Sequence, residues 1–498
     1  MTGREKTNVT GVRGSVKPVA DWHHQAHEYK IGKQKRGRGL LWPMRSGKTK
    51  AILDKASFLF KHKEIEGAII LAPNGVHVNW VKNEIPKWTQ GAKAFAWSTP
   101  KRGDFPQIEK FNQLLHYKGM KFFALNKEAL NHPEAQRAIR KFMMSCHNKF
   151  LLTVDESHHF ARPGAKRTRL ARGLSKKAAY RQIATGTVIL NSPLRAFSQF
   201  EILQEGALGF DNYSDFKERY AITEQRSIPG RRRTREVVTG YQNMDELRER
   251  MAQWSSVVVR EDIHDMPELL HTERPVVMSD KQRLAYLEMV NRHLVEMGDD
   301  AVSARDGGAR VMKLHQIVNG YIVDSATGQI HTIDAEAPIY DAVLDEVGGT
   351  LPGKSIVWCR LREDVRRVVK WLEDHGYKNK VLTYFGDTPM DQREPLRVQF
   401  NTDPNIFALV GTLGTGGEGL DFSGADAVIF FSIPPNTVQV KQGEERATVV
   451  GGRTVTVVRI TTPGTVVDRL WSIIDGNTTL ADSVSGRGLR DLLRQTDV

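Results

Sequence analysis

Residues 40–49 read LLWPMRSGKT, and this stretch decides the fold. Ser46-Gly47-Lys48-Thr49 is the phosphate-gripping end of a P-loop. A short apolar run precedes it. Behind it Ile52, Leu53, Ala56, Leu59 and Phe60 recur at spacings of three and four, the period of a helix face. Strand, loop and helix in that order are what the motif requires. The loop N–H groups and the helix N-terminus then hold phosphate oxygens. Lys48 would reach the β- and γ-phosphates, and the Thr49 hydroxyl would meet Mg²⁺. Trp42 occupies the position where the full pattern has glycine.

The chain around this stretch is long enough for about three domains. Its 498 residues are 40% hydrophobic and 26% charged, ordinary for a soluble globular protein. Lys and Arg number 72 against 58 Asp and Glu, a net charge of +14 that favours a polyanionic partner, nucleic acid before membrane. The two cysteines, Cys146 and Cys359, lie far apart, so neither a disulfide framework nor a structural zinc site is expected. The N-terminal MTGREKTNVTGVRGSVKP has no apolar core of a secretory signal. No run approaches the roughly 18 apolar residues of a membrane span. A cytoplasmic protein is expected.

Alternating strands and helices fill two regions. In the first, GAIILA (67–72), 122–125, FLLTVD (150–155) and QIATGT (182–187) read as buried parallel strands. Val78, Val81, Ile85 and Trp88 share one helix face. Asp155 and Glu156 end an apolar strand, where α/β sheets place ligands. In the second, SIVWC (355–359), VLTYF (381–385), FALVGT (407–412), AVIFFSI (427–433) and VTVVRI (455–460) read as strands. The fold class is therefore α/β with two tandem parallel sheets flanked by helices. The divisions are a flexible 1–17, a first lobe 18–195, a helix-rich middle 196–335, a second lobe 336–475 and a tail 476–498. The middle carries a basic insert at 226–238 and a hairpin at 321–333 turning near Thr327-Gly328. His23, His24 and His27 lie on one short helix, read as a solvated face rather than a metal site.

The motifs, taken together, resemble those of the superfamily-two helicase ATPases, within them the Swi/Snf-like DNA translocases. PMRSGKT (43–49) corresponds to motif I, APNGVHVNWVKNEIPKW (72–88) to motif Ia with the family's Asn-Trp, and DESH (155–158) to motif II. ATGTVILNSP (184–193) resembles motif III, with Val188 replacing proline. GTLGTGGEGLDF (411–422) resembles motif V, and QGEERA (442–447) the start of motif VI. The resemblance implies two RecA-like lobes with ATP and Mg²⁺ between them. It implies catalytic roles for Lys48, Asp155, Glu156 and Arg446. Gln25, Met44, Arg45, Ser46, Gly47, Lys48, Thr49, Gly417, Gly419, Asp421, Gln442 and Arg446 would contact the nucleotide. Thr49 and Asp155 would hold Mg²⁺, and Glu156 would orient and deprotonate the attacking water. His158, Thr185, Gly186 and Thr187 would couple the γ-phosphate to lobe movement.

Two departures stand out. The family has two arginines three residues apart in motif VI; here Arg446 is the first and Val449 occupies the second. Arg453, four residues on, is a candidate substitute. Arg45 stands where motif I usually has glycine. Basic clusters at 33–38, 166–172 and 226–235 are solvated faces or backbone-phosphate contacts, with Arg231, Arg232 and Arg233 the candidates on a protruding insert. The expected activity is a DNA-stimulated ATPase moving along double-stranded DNA without sequence preference, as a monomer. It would act in a bacterial or phage-infected cytoplasm, with other DNA-processing proteins as further partners. A strand-separating helicase on DNA or RNA fits the same motifs. So does an ATP-gated binding protein whose hydrolysis Val449 slows.

Overall fold

The structure is a computed structural model, and it describes residues 22–98, 105–186, 192–227, 234–258, 263, 266–297, 304–350, 353–416, 422–449 and 451–475. The first sheet takes β1 (Gly37–Leu41), β2 (Gly67–Ala72), β3 (Lys93–Ala96), β4 (Lys121–Asn126), β5 (Phe150–Asp155) and β6 (Tyr180–Ala184). An antiparallel hairpin follows, β7 (Ala221–Ser227) with β8 (Thr234–Tyr241). The chain then returns to the first sheet as β9 (Ser255–Val257). The order is β3-β4-β2-β5-β6-β1-β9, parallel throughout. Strands such as β2, buried at every residue, can be apolar on both faces because helices cover both.

The second sheet opens with β10 (Leu269–Pro275). A small hairpin, β11 (Tyr321–Val323) with β12 (Ile330–Thr332), turns at Gly328 with φ 73°, as expected. Then come β13 (Ser355–Cys359), β14 (Val381–Tyr384), β15 (Ala408–Thr412), β16 (Ala427–Phe430) and β17 (Val455–Thr461). Their order is β10-β17-β16-β13-β15-β14, again parallel. The two RecA-like lobes are thus two parallel sheets with flanking helices.

The middle, 196–335, is not a body apart. Phe197, Phe200, Phe216, Tyr220, Leu247 and Met251 complete the core on one face of the first sheet. Tyr286, Val290, Leu314 and Ile317 pack into the second-sheet core with Trp358 and Phe430. The physical reason is the two edge strands: β9 ends the first sheet and β10 starts the second.

Beneath the second lobe Asp364 is fully buried. It accepts hydrogen bonds from Asn319 Nδ2 (3.0 Å), Tyr321 OH (2.7 Å), Leu361 N (3.1 Å) and Ser432 Oγ (2.6 Å). These four donors satisfy a carboxylate that burial would otherwise make costly. The hub ties the strand ends Cys359 and Phe430 to the β11 hairpin.

Candidate active site

Strand register assembles the site. Ala184 of β6 pairs with Asp155 of β5 on one side and Leu40 of β1 on the other, so three adjacent strands end level. The loops that leave them are the P-loop, the acidic pair and Thr185-Gly186. Thr185 N donates to Leu40 O at 3.1 Å. A Cβ on Gly186 would stand 3.2 Å from Trp42 O, a tight contact with the P-loop backbone.

The P-loop turns through Met44 to Gly47 into the helix Lys48–Lys61. Gly47 takes the left-handed conformation, φ 76°, and a Cβ there would meet Gln25 Nε2 at 2.0 Å. Gln25 is buried; its Nε2 donates to Gly47 O at 3.2 Å and its Oε1 accepts from Trp22 N at 3.1 Å. Ser46 Oγ donates to Pro43 O at 2.8 Å. His24 Nε2 is 2.8 Å from Ser46 O and its ring lies edge-on to Trp42. The solvated-face reading therefore holds for exposed His23 and His27 but not for His24, which braces the loop. Trp42 itself is fully buried, its indole donating to Ser256 Oγ of β9 at 3.0 Å. Trp42 follows the last strand residue without a positive φ, so glycine's freedom is not required there.

Lys48 Nζ donates to Trp42 O at 3.0 Å and Pro43 O at 2.8 Å, closing the loop on its own carbonyls. Across from it, Trp80 Nε1 donates to Asp155 Oδ2 at 3.0 Å. Glu156 also takes the left-handed backbone conformation, φ 49°, strain of the kind found at functional sites. Its Oε2 lies 3.3 Å from His158 Nδ1 and accepts from Thr185 Oγ1 at 3.4 Å; His158 Nδ1 is 3.2 Å from that hydroxyl. Burial and the adjacent Glu156 carboxylate push Asp155 up to about 6. Burial also pushes Glu156 up, but the His158 hydrogen bond and charge, with Lys48 and His159, outweigh it and bring it to about 2. The two neighbouring carboxylates are thus shifted in opposite directions, Glu156 toward its ionised form and Asp155 away from it.

The residues fit a nucleotide and its metal. The helix Lys48–Lys61 has no acidic residue in its first turn and no side chain capping its N-terminus, leaving donors for an anion. Thr49 and Asp155 are the sparse oxygen set that Mg²⁺ accepts when phosphates complete its shell. Among the described residues no cluster of three or more His, Cys, Asp or Glu could hold a metal alone.

The second lobe reaches this loop through Arg446, which is buried. Arg446 Nη2 lies 3.9 Å from Met44 Sδ, and Arg45 Nη2 donates to Arg446 O at 3.3 Å. Gln442 is buried one turn earlier, on the helix Thr437–Glu444. Arg453 is directed elsewhere: it pairs with Asp426 at 2.6 Å, at the N-terminal end of β16, with its side chain 80% exposed. A parallel sheet binds ligands at the opposite end, so Arg453 does not replace the motif VI arginine that Val449 lacks. Gly417, Gly419, Asp421, Thr187 and Arg231, Arg232 and Arg233 lie outside the described residues.

Two further readings change. Arg38, within the basic run 33–38, is buried and grips Glu28 through Nε (3.0 Å) and Nη2 (2.8 Å). Arg172 pairs with Glu201. Neither is a free phosphate contact. Trp80 was legible only as part of the motif Ia pattern; its bond to Asp155 joins residues 75 apart in sequence.

Several known proteins are similar to this chain. The helicase conserved C-terminal domain matches residues 339–451. TATA-binding protein-associated factor MOT1 of Saccharomyces cerevisiae is 23% identical over 390 residues, 66% of this chain and 20% of its own length. The mouse DNA excision repair protein ERCC-6 is 24% identical over 349 residues, 66% of this chain and 23% of its own. The mouse DNA annealing helicase and endonuclease ZRANB3 is 23% identical over 359 residues, 71% of this chain and 31% of its own. The chain thus spans under a third of the length of these relatives. A Sulfolobus solfataricus SWI2/SNF2 ATPase core in complex with dsDNA aligns over 95% of each chain at 18% identity and TM-score 0.39. Its ordered motifs, its match to the helicase conserved C-terminal domain and these relatives together support reading the chain as a Swi/Snf-like helicase of superfamily two.

Proposed function

We propose that this chain hydrolyses ATP to ADP and phosphate and uses the cycle to move along double-stranded DNA without reading its sequence. The observation that carries the reading is the convergence of Lys48, Asp155, Glu156 and Arg446 on one seam between two parallel sheets. Lys48 would exchange its loop carbonyls for β- and γ-phosphate oxygens, a small rotation of one flexible side chain. Bound Mg²⁺ would neutralise charge on those oxygens. Glu156, ionised and braced by Thr185 and His158, is suited to orient a water and take its proton. His158 and Thr185 sit on that carboxylate, so a change at the γ-phosphate would be felt by the loop after β6.

Duplex DNA is favoured over other polyanions by the Swi/Snf-like branch and by the net charge of +14. The test is turnover with duplex DNA, single-stranded DNA, RNA and no nucleic acid. Duplex should stimulate most; equal rates in all four would refute a DNA motor. Neutralising Arg231, Arg232 and Arg233 should weaken duplex binding uniformly across sequences and flatten its salt dependence. Unchanged affinity would leave the β7–β8 insert without a role in binding.

A slow ATPase is the second reading. It is favoured by Val449 at the second arginine position, with Arg453 engaged by Asp426.

A further inference from the structure

We propose that Arg45 is a catalytic residue of this cleft, supplying from the P-loop itself the second cation that motif VI lacks. The inference rests on the ATPase reading above and adds a residue to it.

Arg45 has φ 62°, in the left-handed region where a side chain costs about 1–2 kcal/mol and glycine costs almost nothing. Backbone geometry therefore favours glycine, and the loop carries arginine against that preference. Its guanidinium is directed across the seam, where Nη2 donates to the Arg446 carbonyl at 3.3 Å. Arg446 points the other way, its Nη2 3.9 Å from Met44 Sδ. The two arginines interleave from opposite lobes within one loop of Lys48.

Hydrolysis moves charge onto the γ-phosphoryl oxygens as water attacks phosphorus and the bond to the β–γ bridging oxygen breaks. The water proton passes to Glu156, and ADP and phosphate leave. Arg45 transfers no proton; it donates hydrogen bonds to the equatorial oxygens as their charge grows. Val449 can offer no such bond. A guanidinium on the loop that cradles the phosphates would exchange its contact to the Arg446 carbonyl for one to a phosphoryl oxygen. The same exchange would signal to the second lobe that a triphosphate is bound.

Arg45→Gly is the decisive variant because it relaxes the backbone and should fold at least as well as the parent. Duplex-stimulated kcat should fall about 10²-fold or more, and KM should rise by about the tenfold that triphosphate binding loses. Arg45→Lys should recover only part, since an ammonium is a point charge without the planar fork. Arg45→Gly combined with Val449→Arg should recover most, because the cation returns from the other lobe. Binding is measured separately by calorimetry with ATPγS and with ADP, which requires no turnover. Arg45→Gly should lower the ATPγS-to-ADP affinity ratio about tenfold, one lost charge-assisted bond. An unchanged ratio overturns the proposal even in a parent that hydrolyses nothing, a result that would separately sink the ATPase reading. A parent-like kcat in Arg45→Gly overturns it while leaving that reading intact.

Discussion

Replacing Trp80 by phenylalanine removes one hydrogen bond and keeps an aromatic ring in the core that also holds Ala51 and Ile85. The bond removed is the indole N–H to Asp155 Oδ2, 3.0 Å long. It favours the ionised carboxylate, so its loss must raise the Asp155 pKa from its present value of about 6. Hydrogen bonds to charged groups contribute about 1.5–3 kcal/mol, and one pKa unit is about 1.4 kcal/mol, so the rise is about one to two units. The ionised fraction at pH 7 would then fall from about nine-tenths to between a half and a tenth. The measurement is the pH profile of kcat/KM for MgATP, whose acid limb reports the free enzyme. The limb should move to higher pH by one to two units, with a loss of roughly two- to tenfold at pH 7 that disappears near pH 9. An unmoved limb, or a loss equal at every pH, would show that Trp80 serves packing and not the carboxylate.

Other expectations follow from the same structure. Lys48→Ala should abolish turnover, and Glu156→Gln should bind ATP at parental affinity while hydrolysing it at least about 10²-fold more slowly; substantial hydrolysis by the latter removes Glu156 as the base. Lys55 is buried, its Nζ on Lys35 O at 2.8 Å, and burial lowers its pKa to about 7 from 10.5. The folded state thus binds fewer protons than the unfolded one between pH 7 and 10.5, so the stability penalty is full below pH 7 and fades as pH rises. Lys55→Met should therefore gain most over the parent in urea unfolding at pH 6 and progressively less toward pH 9.5; a constant difference would contradict the linkage. Asp364→Ala strands four donors and should cost about 4 kcal/mol or more, read as a lower unfolding midpoint. Tyr321→Phe, removing one donor, should cost about 1–2 kcal/mol by the same measurement.

The parts of the fold that sequence made legible are those where one residue pattern has one structural solution. GAIILA, SIVWC and FLLTVD can be so largely apolar only as central strands of a covered parallel sheet. The acidic pair and the P-loop followed, because strand ends are where such sheets bind. The edge strands β9 and β10 were hidden for the opposite reason. Ser255–Val257 is three residues long, and LLHTERP of β10 is largely exposed, held by backbone pairing rather than by apolar burial. Sequence also gave no local signal for pairs distant along the chain. His24 on the P-loop, Glu28 on Arg38 and Trp80 on Asp155 each exist only once the strands are in register. Arg453 looked like a cleft residue because it follows motif VI by a few positions. The chain between them runs from one end of the second sheet toward the other, which sequence distance does not reveal.

The edge strands have a mechanical consequence. The chain leaves the first sheet from β9 and enters the second at β10, so tension between the lobes is carried along strand axes, in shear against a neighbour. β10 shares seven paired positions with β17, whereas β9 shares three with β1. Under load the shorter ladder yields first. Its neighbour is the strand that ends in the P-loop, and its Ser256 holds the Trp42 indole at the root of that loop. A pull on the connection between the lobes is therefore delivered to the phosphate loop before it reaches any other part of the first sheet. Resistance met by the second lobe on its track would be transmitted to the grip on nucleotide.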